Sequence, residues 1–376
     1  MPRYQWLIVG AGFTGATVAA RIARELNQKV LVIDRRNHVA GNAFDERDEN
    51  GILTHRYGPH IFHTNSQKVW DFLSQFTAWR PYVHRVKAQV DGKLVPLPFN
   101  LDAIEMLFPA AQAQRYRDSL LRDYGKDSKT PIIKLRQSGD KDIRGLADYI
   151  YDKIFLNYTR KQWDLTPEQL DPGVTARVPV LIGADDRYFQ DRYQAIPAQG
   201  YTSMISRMLS HPNIDIELER DWESLQGQDV ADRMVFTGPI DQYFGYAFGA
   251  LPYRSLRFES CSLDADLFQP VATINYPNDF DFTRVTEMKH LTGERGPRTV
   301  LMYEYPQAYR PGENEPYYPI PTPDSAAKLK PYQNEAGKLA GKVWFAGRLG
   351  DYIYYNMDQA CARGLSLFDK ELSRLC

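Results

Sequence analysis

Gly10, Gly12 and Gly15 stand in the spacing Gly-x-Gly-x-x-Gly, and an acid, Asp34, follows 19 residues after the last of them. The first glycine permits a tight turn, the second lets backbone approach a pyrophosphate at a helix N-terminus, and the third lets that helix pack close on a strand. The acid accepts hydrogen bonds from the ribose hydroxyls of an adenosine. Together these residues are equipped to hold a dinucleotide. Three glycines alone are a weak signal, and the elements around them make it specific. Tyr4-Gln5-Trp6-Leu7-Ile8-Val9 reads as a strand, the stretch carrying Ala16, Ala19, Ala20 and Ala23 as a helix, and Lys29 to Asp34 as a second strand, so a βαβ unit positions all four.

Tyr57 to Thr64 packs His60, His63, a glycine and a proline into eight residues. Neither histidine has a second ligand at i+4 and no H-E-x-x-H is present, so no metal site is expected; the stretch reads as a backbone turn approaching a planar cofactor. Cys261, Cys361 and Cys376 are odd in number, far apart and free of C-x-x-C, which excludes a disulfide framework or thiolate zinc site and predicts a reducing, cytoplasmic setting. The N-terminus enters its strand pattern at once and lacks a signal-peptide pattern. G-x-S-x-G, Walker loops and evident carboxylate pairs are all missing, so the sequence offers no protein nucleophile. Tyrosines cluster at 303 and 305, at 317 and 318, and at 352, 354 and 355, which fits a wet domain interface or a ligand-lined cleft.

With 376 residues, 46 Lys+Arg against 47 Asp+Glu and a net charge of −1, the chain is long enough for two or three modules and has no basic field to hold nucleic acid or a membrane surface. No apolar run reaches the roughly 18 residues of a membrane span. The pattern turns helical and charged from about Leu101 to Trp163, strand-like runs alternate with turns from Pro239 to Tyr305, and Lys342 to Arg348 reads as a strand entering a glycine before a last helix. That late strand-glycine-helix element predicts a return to the first domain. The expected α/β organisation is a nucleotide-binding domain at 1–78, 196–240 and 321–376; antiparallel-sheet strands at 79–99 and 241–320; a helical subdomain at 100–160; and a flap with sheet strands at 161–195.

Val32-Ile33-Asp34-Arg35-Arg36-Asn37-His38, Gly58-Pro59-His60-Ile61-Phe62-His63-Thr64, Tyr158-Thr159-Arg160-Lys161-Gln162-Trp163 and Thr237-Gly238-Pro239-Ile240-Asp241-Gln242-Tyr243-Phe244 resemble the bacterial UDP-galactopyranose mutases, as do Phe189 to Gln194, Glu315 to Pro319 and Gly347-Arg348-Leu349. The resemblance spans nearly the whole chain. It implies a Rossmann-like FAD-binding domain with an inserted helical subdomain and an antiparallel sheet domain, in a cytoplasmic homodimer or larger homo-oligomer serving cell-wall polysaccharide synthesis. It places FAD on Gly10, Gly12, Phe13, Gly15, Asp34, Arg35, Asn42, His60, Arg348 and Met357, with His63 near flavin and sugar. Substrate is implied at Tyr158, Thr159, Trp163, Arg177, Tyr188, Asn275, Arg284, Tyr317, Tyr354 and Asn356. Arg177 and Arg284 would grip the diphosphate, because a guanidinium fork suits phosphate oxygens.

The implied reaction interconverts UDP-galactopyranose and UDP-galactofuranose: N5 of reduced FAD, primed once by NADH or NADPH, attacks the anomeric carbon, displaces UDP and forms an iminium; ring opening and reclosure follow. Arg177, Arg284 and His63 are the implied catalytic side chains. Asp34, Ala40, Pro59, His84 and Asn356 depart from the family pattern, which has Glu, Gly, Ala, often Asn, and Asp there. Two other readings share the nucleotide domain: a flavin amine oxidase-like oxidoreductase and a UDP-sugar-binding protein without catalysis. The stretch 162–175, with Pro167, Pro172 and Gly173, is expected to be a flap over UDP.

Overall fold

A computed structural model describes residues 4–170 and 178–375. The chain forms two compact units, one of residues 1–81, 191–255 and 309–376 and the other of residues 82–190 and 256–308. In the first, five parallel strands lie in the order Ile214–Glu217, Val30–Ile33, Tyr4–Val9, Ala231–Phe236, Val343–Phe345. The central strands are apolar on both faces, as a sheet covered on both sides requires, with Trp6, Ile8, Val30, Val32 and Val235 all fully buried. Helices Phe13–Arg21, Tyr201–Leu209 and Met357–Lys370 supply much of the same core through Val18, Met204, Ile205 and Phe368. Small residues let the first and last of these helices meet closely: a Cβ on Gly364 would lie 3.0 Å from Thr17, whose hydroxyl donates to Cys361 Sγ at 3.6 Å.

Asp45, on the short hairpin strand Asp45–Arg47, caps helix Tyr201–Leu209 from a distance in sequence. Its carboxylate accepts from the amides of Tyr201 (2.6 Å) and Thr202 (2.9 Å) and is only 4% exposed. Asp45→Ala leaves two helix-start amides unpaired, an expected loss of about 2 kcal/mol. Urea denaturation checks it; an unchanged midpoint would show that water replaces the cap without loss.

In the second unit the strands run Tyr253–Leu263, Thr299–Ala308, Arg284–Glu287, Thr273–Asn275, Val86–Val90, Lys93–Leu97, the first of them entering from the other unit after Ser255. The described registers are antiparallel except for Thr273–Asn275 against Val86–Val90, which is parallel. Helices Leu101–Leu107, Ala110–Tyr124 and Lys141–Ile150 cover this sheet, burying Ile104, Leu120, Ile143, Leu146 and Ile150 against Val86, Val90 and Val95. Asn100 and Asp140 cap two of them, accepting from Ala103 N at 3.0 Å and Asp142 N at 2.7 Å. The last helix continues through a π-helical stretch, Tyr151–Leu156, into Asn157–Trp163. A π turn takes in an extra residue, so it sets the rotational phase of every side chain after it.

Candidate functional site

In the first unit the Gly10 turn has the geometry its composition demands. Gly10 sits at φ +103°, and a Cβ there would lie 2.1 Å from Thr237 Oγ1, which donates to the Val9 carbonyl at 2.7 Å. Helix Phe13–Arg21 starts at Gly12 with no side-chain cap and no acid in its first turn. Its amides and positive dipole end are therefore presented to an incoming anion.

One cleft gathers nearly all of the expected cofactor residues. Gly10, Gly12 and Phe13 line it at the helix start, Asp34, Arg35 and Asn42 beyond the second strand, and His60, Arg348 and Met357 from later segments. Gly15 does not line it and packs under the turn. Asp34, 9% exposed, accepts from the amides of Ala11 (2.9 Å) and Arg36 (3.0 Å), one on each oxygen, which leaves lone pairs for ribose hydroxyls.

Sequence reasoning missed four contributors. Glu315 accepts from Arg35 and, at 2.8 Å, from Arg36; burial pushes its carboxyl up, but the two guanidiniums hold it below the ordinary range. Arg36 also donates to Asn42 Oδ1 at 3.0 Å and lies over the Tyr57 ring. Arg220 and Trp222 line the same cleft, and their buried Nε and Nε1 atoms make no hydrogen bond among the described residues, although Arg220 Nε lies 3.8 Å from the Glu217 carboxylate. Orphaned donors next to Asp34 fit the adenosine end of a dinucleotide, whose base and ribose supply acceptors. Trp222 stacks on Tyr243 at 5.4 Å and 10°, and the aromatic character of both positions was the only available signal.

His60 reaches the cleft through a buried network. Its amide donates to His55 Nδ1 (2.9 Å), its Nδ1 lies 2.7 Å from the Gly58 carbonyl, and its own carbonyl accepts from Tyr201 Oη (3.1 Å). Burial pulls His55 down to about 4, which keeps it neutral and able to accept. His63 does not line the cleft. It stands on strand Phe62–Thr64 with Nδ1 2.9 Å from Asp191, whose other oxygen accepts from Asn65 at 2.6 Å. An ionised carboxylate there places a proton on Nδ1.

Arg348 donates to the carbonyls of Tyr355 (2.6 Å) and Tyr317 (3.4 Å), and its guanidinium lies over the rings of Tyr318 and Tyr354. Tyr317 is 4% exposed, so Tyr318, edge-on to Tyr354 at 5.0 Å, is the more accessible of the adjacent pair. Asn356 caps helix Met357–Lys370 in a reciprocal box with Gln359. Its amide oxygen fills the capping role that a carboxylate would fill, without the charge.

The second unit holds the other set. Asn275, Arg284 and Glu304 sit side by side across three neighbouring strands, in register. Glu304 accepts from both Nε (2.8 Å) and Nη2 (2.7 Å) of Arg284. Tyr158, Thr159 and Trp163 ride on helix Asn157–Trp163, which is pinned to the loop after Asn275 by Lys161 Nζ to the Tyr276 carbonyl (2.9 Å) and Asn157 to Asn278 (2.9 Å). Trp163 and Thr159 are mostly buried and Tyr158 is half-buried. Tyr188 donates its amide to the His84 carbonyl at 2.8 Å; His84 itself is 4% exposed and packs against Tyr188 and Phe189, a structural placement. Arg177 and residues 171–175 of the expected flap lie outside the described residues. Among the described residues no cluster could hold a metal ion, and no helix is long and apolar enough to cross a membrane.

The family model described as UDP-galactopyranose mutase matches residues 153–354, and that of an NAD(P)-binding Rossmann-like domain matches 8–76. A probable UDP-galactopyranose mutase of Klebsiella pneumoniae is 37% identical over 98% of this chain and 94% of its own. A dTDP-fucopyranose mutase of Escherichia coli is 35% identical over 94% of each chain. The crystal structure of a reduced UDP-galactopyranose mutase superposes with a TM-score of 0.72 at 18% identity, covering 99% of this chain and 96% of that one.

Proposed function

The chain belongs to the UDP-galactopyranose mutase family and is an isomerase, and from that premise we propose that it interconverts UDP-galactopyranose and UDP-galactofuranose with FAD as its resident cofactor. The observation that supports this reading is that each unit holds residues suited to a diphosphate. The uncapped helix start at Gly12, with Asp34 beyond it, suits the diphosphate and ribose of the cofactor. Arg284, held in the row Asn275–Arg284–Glu304, suits the diphosphate of a nucleotide sugar.

When bound and reduced, with NADH or NADPH as the priming donor, the flavin supplies the nucleophile for the anomeric carbon. The protein's residues orient and hold charge. The Gly58–His60 turn, braced by His55 and Tyr201, presents backbone and His60 to the cofactor's cleft. Arg348 is fixed by two carbonyls and places its charge over Tyr318 and Tyr354, whose hydroxyls can donate to phosphate or sugar oxygens. Asp191 holds the Nδ1 proton of His63, which leaves Nε2 as the proton-exchanging atom of that ring. Tyr158 and Trp163 supply aromatic faces for uracil, and Arg284, joined by Arg177, supplies forked donors to the diphosphate.

The test is anaerobic turnover by the purified holoprotein. The yellow holoprotein, once bleached by dithionite, is expected to convert UDP-galactofuranose to UDP-galactopyranose, and the oxidised yellow form is expected to be inert. Turnover by both forms alike, or a colourless protein that FAD cannot reconstitute, would overturn the flavin reading. Because the dTDP-fucopyranose mutase relative is nearly as similar, at 35% against 37% identity, dTDP-fucofuranose belongs in the same assay; preference for it would reassign the substrate and keep the reaction class. Peroxide formed in a parallel aerobic assay, without isomerisation in the anaerobic one, would point to an oxidase, and UDP binding without turnover to a binding protein.

A further inference from the structure

Glu304 is a buried charged group beside Arg284 to which the reaction as described gives no task beyond contact. It is 1% exposed, stands in register with Arg284, and spends one oxygen, Oε2, on two donors of that guanidinium at 2.8 and 2.7 Å. Its other oxygen, Oε1, is buried and has no hydrogen-bond partner among the described residues. A carboxylate so poorly solvated concentrates its balance on the Arg284 guanidinium, the one cation paired with it among the described residues. Arg284 keeps 27% of its side chain exposed, so the pair has a buried negative end and an accessible positive end.

We propose that Glu304 is the countercharge that sets how tightly Arg284 holds the diphosphate, so that the pair meets UDP as a directional donor of no net charge. This rests on the assignment of Arg284 to the substrate diphosphate. The chemistry gives the device its use. A nucleoside diphosphate gains negative charge as its bond to the anomeric carbon breaks and must give that charge back when the bond re-forms. A lone buried guanidinium would stabilise the departed diphosphate and slow reattachment. A neutralised one keeps the forked geometry, which Glu304 fixes from the Nε–Nη2 edge, while weakening the net field. Glu304 is thus a positioning and charge-tuning residue that acts through Arg284.

The experiment is isothermal titration of UDP into FAD-loaded wild type, Glu304→Gln, Arg284→Ala and the double variant, at two salt concentrations. Glutamine preserves one acceptor for the guanidinium and removes the charge. Glu304→Gln is expected to bind UDP about 7- to 50-fold more tightly, the Coulomb effect of one charge roughly 7 Å away at an effective dielectric of about 20–40, with a steeper loss of affinity as salt rises. Its KM and kcat are both expected to fall, which a purely structural role would not produce. Arg284→Ala leaves the carboxylate facing the diphosphate, so adding Glu304→Gln to it is expected to restore affinity by a similar factor. That comparison decides the matter even if the single glutamine variant fails to fold. UDP bound no more tightly by Glu304→Gln than by wild type, or by the double variant than by Arg284→Ala, overturns the proposal. Wild-type affinity in Arg284→Ala overturns instead the assignment of Arg284, and the countercharge falls with it.

Discussion

Gly15→Ala is expected to cost about 3 kcal/mol or more and to leave the chain without bound FAD. A Cβ on Gly15 would lie 1.9 Å from the carbonyl oxygen of Gly10 and 3.1 Å from its carbonyl carbon, so the obstacle is backbone and has no rotamer through which to yield. The Gly10 backbone cannot retreat freely either, because its amide donates to the Ile33 carbonyl at 2.8 Å and ties the turn to the second strand. Relief must come from lifting the helix off the sheet, which breaks the surface that faces the cofactor. Gly145→Ala is the control: it lies in helix Lys141–Ile150 with nothing within 4 Å of the added carbon, and is expected to gain a few tenths of a kcal/mol to about 1 kcal/mol. Flavin absorbance per chain and urea midpoints read both; normal flavin content in Gly15→Ala would refute the packing argument.

Arg284→Ala is expected to weaken UDP binding about 10- to 150-fold, or roughly 1.5 to 3 kcal/mol, with flavin content unchanged. The spatial reason is that Arg284 belongs to the second unit, on strand Arg284–Glu287, whereas the cofactor's cleft is lined wholly by the first. Truncation removes a forked donor set and leaves the buried carboxylate of Glu304 unpaired, which places the expected loss toward the upper end of that range. Lysine is expected to restore only part of the affinity, because a point charge does not reproduce the fork. Arg177→Ala carries the same expectation through the family resemblance. Titration of UDP into each holoprotein decides, and an unchanged constant for either residue would show that it lies elsewhere.

The nucleotide-binding turn was legible because everything it needs is local. Gly10, Gly12, Gly15 and Asp34 fall within one βαβ unit, and the structure shows the positive φ that Gly10 supplies and the close backbone approach that Gly15 permits. The residues proposed for the substrate were legible only through resemblance, because their row is assembled from strands whose pairing no local pattern announces. Arg284 and Glu304 are partners across a sheet, and nothing in the residues between them marks the register. Asp45 as a helix cap was equally hidden, since the helix it serves begins at Tyr201. Arg220 and Trp222 stay inconspicuous in sequence because an arginine and a tryptophan after a strand are ordinary; only buried nitrogens without a hydrogen bond distinguish them. The π-helical stretch Tyr151–Leu156 leaves no mark either, since its apolar spacing blends with the α-helical pattern on both sides.

The strand order of the first unit also has a consequence for how the protein is made. Its sheet takes strands from 4–9, 30–33, 214–217, 231–236 and 343–345, and helix Met357–Lys370 packs against the helix that starts at Gly12. A nascent chain leaving the ribosome therefore exposes the Gly10 turn early, yet cannot finish the layer that supports it until strand Val343–Phe345 and helix Met357–Lys370 have been synthesised. The second unit has all of its segments once residue 308 has emerged. The order of maturation runs opposite to the order of the first residues: the inserted unit can close during translation, and the nucleotide-binding layer is complete only after helix Met357–Lys370 has emerged. A ribosome stalled between these points would carry a folded insert beside an open apolar sheet, a state that calls for chaperone protection.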